Sequence, residues 1–519
     1  MLLLRRAGLI PECIRPLRLG TWFFGTAQAD QDSNVFRGLQ EGKDIPAGAG
    51  ESCSDEHAEH SLPLRLLLLG FAIFLQSYFE IPSELIRAVV GLSGAAILSF
   101  LGMAASIACI CLAVSPRLVT RLNGRIGRML SRIALIGCLA LSLIGCLQVG
   151  VIAVRSFQPP FYTNDGTLLD HNAAVLLLEG ENPYVSSDVI AALRNFNQLP
   201  IYVTPLRQGK LANQQDYPSD EELQQLVAQE PVGHPEQVLE FESHVSYPAL
   251  AFLVLVPMVW AGLPTVVPFF FLCLALLAVI GLRSVRRELR WWVGLLFLAD
   301  VPVLNSTMAG DLDVFYILLV FLVWLWWERW WVSAVLMGLA LASKQIAWFY
   351  FPFYLIFIYQ RRGVRDAAKR LIVGALVFFA INLPFVVLNS GAWLAGVLAP
   401  VRDPMFPEGV GVIVLSTGKL LPLLPNGVYV VLEGLAMLGA LFWYGRWGRV
   451  RPEAAMLLAV LPLFFAWRSL ATYFYFCALP AALLLALAPR LKSRAADESA
   501  AIPATNAKLI RLVLSGEVS

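Results

Sequence analysis

The segment ALIGCLALSLIGCLQVGVIAV at residues 134–154 contains no charged side chain and has the length that an α-helix needs to cross a bilayer. The rest of the chain is similar, since 58% of its 519 residues are hydrophobic and only 15% are charged, whereas soluble domains carry roughly 25% charged residues. Further apolar runs predict spans at residues 64–79, 88–114, 247–262, 265–282, 291–306, 311–327, 331–358, 371–389, 427–445, 453–467 and 470–489. The sequence therefore predicts an all-α polytopic membrane protein with about 11–13 transmembrane helices.

The segments outside these spans can be oriented by their charge. Residues 1–61 predict a disordered cytoplasmic segment, and residues 490–519 predict a cytoplasmic tail. Residues 62–133 contain two spans and a basic loop, which the positive-inside rule places in the cytoplasm. The basic residues of that loop are Arg117, Arg121, Arg125, Arg128 and Arg132. The span at 134–154 then leads outward, so the polar segment 155–246 is predicted to be a large extracytoplasmic loop.

Two topologies fit the chain between this loop and the basic segment that starts at Arg361. Five simple spans place the arginines of residues 283–290 outside the cytoplasm. The alternative treats 247–282 as one broken crossing and divides 331–358 at Lys344, which returns those arginines to the cytoplasm. It also moves three polar residues to the outer side, namely Asn305, Asp311 and Asp313. The sequence leaves both topologies open.

Polar residues are densest directly after the span at 134–154. Residues 162–171 read YTNDGTLLDH and residues 179–184 read EGENPY. Helix-forming residues between them predict a short helix on the membrane surface, ended by Gly180 and Pro183. Polar groups beside a membrane are expensive to bury, so this cluster is a candidate functional site.

Several ionisable residues in or beside the apolar segments are candidate site residues. Asp165 is either a plain helix N-cap or a functional carboxylate, and Asp170 and His171 lie either on a solvated helix face or in a site. Arg468 either extends its charge to the membrane surface or binds an anion. Lys344 interrupts an apolar run and must therefore face a partner or water.

No local pattern predicts metal ligands. His234 and His244 lack the spacing of helical ligands, and the cysteines show neither a disulfide framework nor a zinc motif. A role for a divalent cation stays open, because the side on which Asp311 and Asp313 lie is undecided. The net charge of +2 and the lack of a basic stripe interleaved with aromatic residues argue against a nucleic-acid partner.

Several segments in order resemble the GT-C integral membrane glycosyltransferases, most of all glycosyltransferase family 87 and its polyprenol-phosphate-mannose-dependent relatives. The carboxylate before a short helix and GENPY at 180–184 are similar to the first outer loop of these enzymes. The later similar segments are Tyr247-Pro248, Asn305 to Asp313, GLALASKQ at 338–345, and Arg468-Ser469 to Tyr473-Phe474. The resemblance covers about residues 134–480. It departs from the family at Asp170, where a tyrosine is usual, and in the two spans that precede residue 134.

The resemblance implies that residues 134–489 form a GT-C-like catalytic domain in a membrane, most simply the bacterial inner membrane. It would transfer mannose or another hexose or pentose from a polyprenyl-phosphate donor to a lipid or glycan acceptor at the extracytoplasmic face. Asp165 or Asp170 would be the general base of a single inverting displacement, and Arg468 or Lys344 would bind the donor phosphate. The other candidate pocket residues are Asn164, His171, Tyr184, Tyr247, Asn305, Asp311, Asp313 and Gln345.

Two alternatives belong to other functional classes. One is a transporter or flippase of lipid-linked sugars, and the other is a non-catalytic scaffold built on an enzyme fold. Convergence of Asp165 and Arg468 on one outer cavity favours the enzyme. A path that opens alternately to both faces favours the transporter.

Overall fold

The computed structural model describes the chain at residues 49–81, 83–116, 125–229 and 240–500. In chain order its α-helices are α1 (Ala49–Gln76), α2 (Ser83–Val114), α3 (Arg125–Arg155), α4 (Asp165–Leu178), α5 (Pro183–Ser186), α6 (Val189–Asn195), α7 (Asp220–Gln229), α8 (Leu250–Leu253), α9 (Val256–Trp260), α10 (Val267–Ser284), α11 (Arg290–Ala299), α12 (Val301–Ala309), α13 (Asp313–Leu325), α14 (Trp330–Ser343), α15 (Ile346–Arg362), α16 (Val364–Arg402), α17 (Ile413–Thr417), α18 (Asn426–Trp447), α19 (Ala455–Leu458) and α20 (Thr472–Ala500). Short 3-10 helices lie at Ser77–Glu80, Pro200–Tyr202, Gly209–Leu211, Arg287–Leu289, Pro452–Ala454 and Leu461–Phe465. Two short parallel strands pair with each other, β1 (Glu408–Gly409) and β2 (Arg468–Ser469).

Six helices among the described residues are long and apolar enough to cross a membrane. Their apolar parts are Leu62–Glu80, Glu84–Val114, Arg132–Arg155, Val267–Ser284, Val364–Arg402 and Asn426–Trp447. The segment Arg287–Ala299 and α12 meet the same criterion together, with a bend of 54° between them. Because so many helices can cross, the prediction of an all-α polytopic membrane protein is confirmed.

Several other apolar helices are too short to cross a bilayer as straight single helices. They are Leu250–Trp260, Asp313–Leu325, Trp330–Ser343, Pro452–Phe465 and Thr472–Leu487. The expected count of about 11–13 spans requires these shorter helices to cross the membrane too, as tilted or broken segments. That count therefore stays a prediction.

Two predicted spans are interrupted in the structure. The apolar run at 331–358 divides at Lys344, whose backbone is extended between α14 and α15. This division is one feature of the second topology that the sequence allowed. The run at 291–306 bends at Asp300, where an Asp300 carboxylate oxygen accepts a hydrogen bond from the Val303 N–H and caps α12. Both breaks place a polar side chain where the helix hydrogen bonds stop.

The two N-terminal spans belong to the same bundle as the rest of the chain. α1 packs against α2, α3 and α20. The Arg65 guanidinium donates hydrogen bonds to the carbonyl oxygens of Ala113 and Ser115, at the end of α2, where a cation interacts favourably with the helix dipole. The Gln76 side chain donates to the Phe474 carbonyl in α20 at 3.1 Å. These spans therefore support the core of the bundle directly.

Three helices extend beyond the predicted spans into polar sequence. α1 begins at Ala49, inside the segment predicted to be disordered, of which residues 1–48 lie outside the described residues. α3 begins at Arg125 in the predicted basic loop. α20 continues to Ala500 in the predicted tail, and residues 501–519 lie outside the described residues. Alanine, arginine and glutamate are good helix formers, so an apolar run predicts the part of a helix in the membrane but not where the helix ends.

The polar segment between α3 and α8 is tied to the chain that follows α16. Isolated antiparallel bridges join Pro205 to Phe241 and Leu206 to Met405. The N–H of Leu206 also donates to the Glu240 carbonyl at 2.8 Å. Two parts of the polar segment and the chain after α16 therefore lie side by side.

Candidate functional site

The start of α4 carries two polar side chains with different roles. Asn164 has an extended backbone, and its Oδ1 accepts a hydrogen bond from the Thr167 N–H at 2.7 Å, which makes Asn164 the N-cap. Asp165 is the first residue of the helix, and its Oδ2 accepts a hydrogen bond from the Thr204 N–H at 2.7 Å. The capping role that the sequence allowed for Asp165 therefore belongs to its neighbour.

The surroundings of Asp165 shift the acidity of its carboxyl group. Burial raises its pKa above the usual range, while the hydrogen bond from Thr204 and the charge of Arg468 act in the opposite direction. A raised pKa makes the ionised carboxylate a stronger proton acceptor. Asp165 is thus suited to accept a proton from a bound hydroxyl group.

The start of α4 packs onto the turn between α12 and α13. Gly310 ends α12 with a left-handed backbone at φ +80°, a conformation that favours glycine. Its carbonyl accepts a hydrogen bond from Thr167 Oγ1 at 2.9 Å. In the same turn, Asp311 Oδ1 accepts a hydrogen bond from the Asn164 side chain. These contacts fix the acidic turn against the helix that carries Asp165.

Lys344 occupies the break between α14 and α15 and is almost fully buried, at 7% exposure. Its Nζ lies 2.9 Å from Asp313 Oδ1 and 5.0 Å from the centre of the Tyr247 ring. Tyr247 in turn contacts Gly166, where an added Cβ would lie 2.9 Å from the tyrosine hydroxyl. The glycine therefore lets Tyr247 and Lys344 approach the start of α4 closely.

Arg468 lies on β2, directly opposite Glu408 on β1. Its Nη2 donates a hydrogen bond to Glu408 Oε2 at 3.1 Å. The Arg468 side chain is 17% exposed and the Glu408 side chain is 43% exposed, so water reaches this pair. The register of the two short strands positions the guanidinium.

Asp165, Asp311, Lys344 and Arg468 line one cavity with a volume of about 1260 Å³. The predicted site residues on its wall are Asn164, Asp165, Tyr247, Asp311, Asp313, Lys344, Gln345 and Arg468. Asp311 and Asp313 share the cavity with Asp165, so they lie on the same side of the bundle as α4. This is the arrangement expected from the second topology.

Gln345 lines the cavity, but its side-chain amide is already used in the fold. It donates hydrogen bonds to the carbonyl oxygens of Ser246 and Val397. The amide thereby joins the helix break to the end of the polar segment and to α16. Its role is to position the elements around the cavity.

Two of the predicted site residues on α4 do not line the cavity. Asp170 is 2% exposed, and burial raises the pKa of its carboxyl group well above the usual range. His171 Nδ1 is 2.8 Å from the Tyr162 hydroxyl, and its ring stacks on Phe196. Burial also lowers the pKa of His171 to about 4. The expectation of a solvated helix face is corrected, because α4 is packed on both sides at this point.

Two further predicted pocket residues have structural contacts elsewhere. The Tyr184 hydroxyl donates to the Tyr247 carbonyl at 2.7 Å. The Asn305 side chain accepts a hydrogen bond from Gln148 and donates one to Glu80, so it connects α12 to α3 and to the chain after α1. Neither residue is on the cavity wall. A polar residue in a membrane bundle is here used to join helices.

Sequence reasoning did not select other polar residues on the cavity wall as site residues, among them Thr204, Arg207, Tyr217, Glu242, Asp403, Glu408, Trp467 and Tyr473. Arg207 differs from the other cations of the wall. It has no carboxylate partner among the described residues, its Nε has no hydrogen-bond partner there, and its guanidinium lies 5.9 Å from the centre of the Phe406 ring. No local motif marks these residues, since they meet only when distant segments pair.

Three potential metal ligands also meet at the edge of the cavity. Glu242, His244 and Asp403 each offer one ligand atom, and these atoms lie within 4.8 Å of one another. In the described part of the chain no other such group of three occurs. The sequence predicted no metal ligands here, and His234, considered with His244, lies outside the described residues. The spacing Glu-x-His at 242–244 was the only local signal, and its third member comes from another segment.

Comparison with known proteins found no matching family model, no similar curated protein and no similar solved structure.

Proposed function

We propose that this protein is a membrane glycosyltransferase that moves a sugar from a polyprenyl-phosphate donor to a lipid or glycan acceptor. The observation that carries the proposal is the shared cavity, whose wall includes both Asp165 and Arg468 although the two residues are far apart in sequence. A carboxylate and a guanidinium facing one space suit a reaction in which a hydroxyl loses a proton and a phosphate leaves.

The proposed step is a single displacement at the anomeric carbon of the sugar. The Asp165 carboxylate accepts the proton of the acceptor hydroxyl, whose oxygen forms a bond to that carbon. The bond between the carbon and the phosphate oxygen breaks at the same time, and the electron pair leaves with the polyprenyl phosphate. With one base and no covalent intermediate, the configuration at the anomeric carbon inverts.

Asp165 is a better candidate for the base than Asp170. Asp165 lines the cavity, whereas Asp170 is 2% exposed and lies off its wall. Burial raises the pKa of the Asp170 carboxyl group well above its usual range, which favours the protonated form. A carboxyl group that does not line the cavity is also out of reach of a hydroxyl bound there.

The leaving phosphate requires positive charge, and three cations are available on the wall. Lys344 is already paired with buried Asp313. Arg468 is paired with the half-exposed Glu408, which an incoming phosphate can displace at small cost. Arg207 carries no carboxylate partner in the described part of the chain. We therefore assign Arg468 and Arg207 to the phosphate and treat Lys344 mainly as a structural cation.

The remaining features of the proposal follow from the family resemblance. They are a GT-C-like bundle, a sugar such as mannose or another hexose or pentose, and an active site on the extracytoplasmic face of a bacterial plasma membrane. The positive-inside rule supports the orientation, because it predicts that the segments carrying Asp165 and Arg468 lie on the other side of the membrane from the basic segments at 125–132 and 361–370.

A flippase of lipid-linked sugars is the second candidate. The observation in its favour is the ion pair of Lys344 and Asp313, which lies at a break in an apolar helical segment, as in many transporters. A flippase moves the lipid-linked sugar without breaking its bond to phosphate, so a sugar-transfer assay distinguishes the two functions.

The decisive experiment measures sugar transfer from labelled polyprenyl-phosphate sugars in membranes that contain equal amounts of each variant. We expect Asp165→Asn to lower the transfer rate by about 10²-fold or more, because the amide cannot act as a base. Asp170→Asn is the matched control on the same helix. Its amide closely replaces a protonated carboxyl, so transfer should stay near the wild-type rate.

The outcomes separate the two functions. Loss of transfer in Asp165→Asn alone supports the glycosyltransferase and its base. Equal transfer by both variants and the wild type rejects Asp165 as the base. The third outcome is that the wild type transfers sugar from none of the donors tested but moves a labelled lipid-linked sugar across the bilayer of proteoliposomes. In that case the protein is a flippase.

A further inference from the structure

The group formed by Glu242, His244 and Asp403 has a geometry that the proposed sugar transfer does not require. His244 Nδ1 lies 2.9 Å from Glu242 Oε1 and 3.8 Å from Asp403 Oδ2. Glu242 and Asp403 are also on the cavity wall. The three side chains therefore meet at a rim where a small ion can enter from the cavity.

Backbone pairing holds the three residues together. The Glu242 N–H donates to the Thr204 carbonyl at 3.0 Å, and the Arg207 N–H donates to the Pro404 carbonyl at 2.8 Å. Asp403 ends α16, where its N–H donates to the Ala399 carbonyl at 2.9 Å. The polar segment before α8 and the chain after α16 thus present their carboxylates to each other from fixed backbones.

The two carboxyl groups face each other with little compensation. The Glu242 side chain is 3% exposed, and neither its Oε2 nor Asp403 Oδ2 accepts a hydrogen bond from an N–H or hydroxyl donor among the described residues. The exposed side chain of Arg402 contributes positive charge near Asp403, but it forms no ion pair with any of the described residues. The Asp403 side chain is 21% exposed, and Glu242 Oε1 already accepts a hydrogen bond from the His244 N–H at 2.8 Å. The second oxygen of Glu242 is the buried atom that lacks a donor. Two neighbouring carboxylates repel unless a proton or a cation lies between them, and buried charges are paired or bind metals.

The type of ligand atoms identifies the class of ion. One imidazole nitrogen and two carboxylate oxygens match the ligands of Zn²⁺, and Mn²⁺ accepts the same set. Sites with three protein ligands keep one position open for water or another oxygen ligand. The cavity adjoins Glu242 and Asp403, so this open position is accessible from it.

We propose that Glu242, His244 and Asp403 bind one divalent transition-metal cation, with Zn²⁺ as the expected occupant. The ion links the polar segment before α8 to the chain after α16 and so stabilises the outer rim of the cavity. The proposal does not depend on sugar transfer, since the ion has a structural role whatever reaction the cavity supports.

The test is metal binding by the full chain in detergent, with any affinity tag removed and metal extracted by a chelator. Equilibrium dialysis against Zn²⁺, followed by elemental analysis of the protein, measures the bound metal per chain. We expect one Zn²⁺ per wild-type chain and at least about 100-fold weaker binding in His244→Ala, because altering groups behind the ligands already costs 10–100-fold. His244 is 47% exposed, so its removal should leave the fold intact.

The variants Glu242→Gln and Asp403→Asn extend the test to the carboxylates. Glu181→Gln is the matched control, because Glu181 is an exposed carboxylate of the same polar segment and does not belong to the group. A thermal unfolding measurement provides a second readout. Zn²⁺ should raise Tm for the wild type and for Glu181→Gln but not for His244→Ala.

Each outcome decides the proposal. Stoichiometric binding that is lost in His244→Ala and kept in Glu181→Gln supports the site. Equal Zn²⁺ content and equal Tm shifts in wild type and His244→Ala overturn it, and leave a shared proton as the feature that holds the two carboxyl groups together. Replacing Zn²⁺ with Mn²⁺ tests the assigned ion, and tighter Mn²⁺ binding would reject Zn²⁺ as the occupant.

Discussion

Two ion pairs line the same cavity, and they differ in how far water reaches them. The side chains of Lys344 and Asp313 are 9% and 3% exposed, whereas those of Arg468 and Glu408 are 17% and 43% exposed. The inner pair, Lys344 with Asp313, lies at a break between apolar helices, and the outer pair, Arg468 with Glu408, lies on two short strands. Distance alone does not distinguish them, since the charged atoms are 2.9 Å and 3.1 Å apart.

The difference in exposure implies a difference in role. Breaking a buried pair leaves an uncompensated charge, so the buried pair is needed for the fold. A partly exposed pair contributes little to stability and can exchange its partner for a ligand. The inner pair should therefore matter most to folding and the outer pair most to binding.

The largest expected effect follows from breaking the inner pair. Lys344→Met leaves Asp313 buried without a cation and should lower the free energy of unfolding by about 3–5 kcal/mol. The double variant Lys344→Met with Asp313→Leu removes both charges and should recover most of that loss. Chemical or thermal unfolding of the purified protein in detergent measures both. Additive losses in the double variant would show that the two side chains do not act as a pair.

The outer pair should give a smaller effect, and on a different quantity. Arg468→Gln should change the free energy of unfolding by less than about 1 kcal/mol. It should lower sugar transfer by roughly 10- to 100-fold, because a hydrogen bond to a charged group is worth about 1.5–3 kcal/mol. Measuring the transfer rate over a range of donor concentrations separates an effect on donor binding from an effect on the sugar-transfer step.

Glu408→Gln is the matched variant for that prediction. It frees Arg468 from its carboxylate partner, so the donor should bind at least as tightly as in the wild type. If Glu408→Gln and Arg468→Gln reduce transfer equally, the pair holds the cavity in shape and Arg468 does not contact the phosphate.

The smallest expected effect concerns pH. The raised pKa of Asp165 means that transfer should fall as the pH decreases through that pKa, since the protonated carboxyl cannot accept a proton. Arg468 lowers that pKa, so Arg468→Gln should move the acidic limb of the kcat/KM profile to higher pH. An unchanged acidic limb would mean that the charge of Arg468 does not affect the pKa of Asp165. The profile of Glu408→Gln serves as the comparison.

Much of the architecture could be predicted from local sequence. The apolar runs identified the six helices of the described residues that are long enough to cross a membrane, because about 20 apolar residues are needed to cross a bilayer whatever surrounds them. A division of the chain at Lys344 belonged to one of the two topologies that the sequence left open, and its signal was also local, since a lysine in an apolar run needs a partner or water. The short helix after residue 164 was expected from its helix formers and from Gly180 and Pro183.

The roles of individual polar residues were harder to predict. Asn164 and Asp165 are neighbours of similar shape, and only the contact with Thr204 shows that one caps the helix and the other reaches across to another segment. Asp170 and His171 were expected on a solvated helix face or in a site, and they are buried instead, because the segments that cover them lie elsewhere in the sequence.

The sequence by itself determined that this protein is built of membrane helices, because hydrophobicity and length act locally. Only the tertiary structure decided which polar residues meet. Arg468 finds Glu408 through the pairing of two short strands, and Glu242 and His244 find Asp403 through backbone bridges between distant segments. Contacts of this kind depend on the relative positions of whole helices, which no short stretch of sequence encodes.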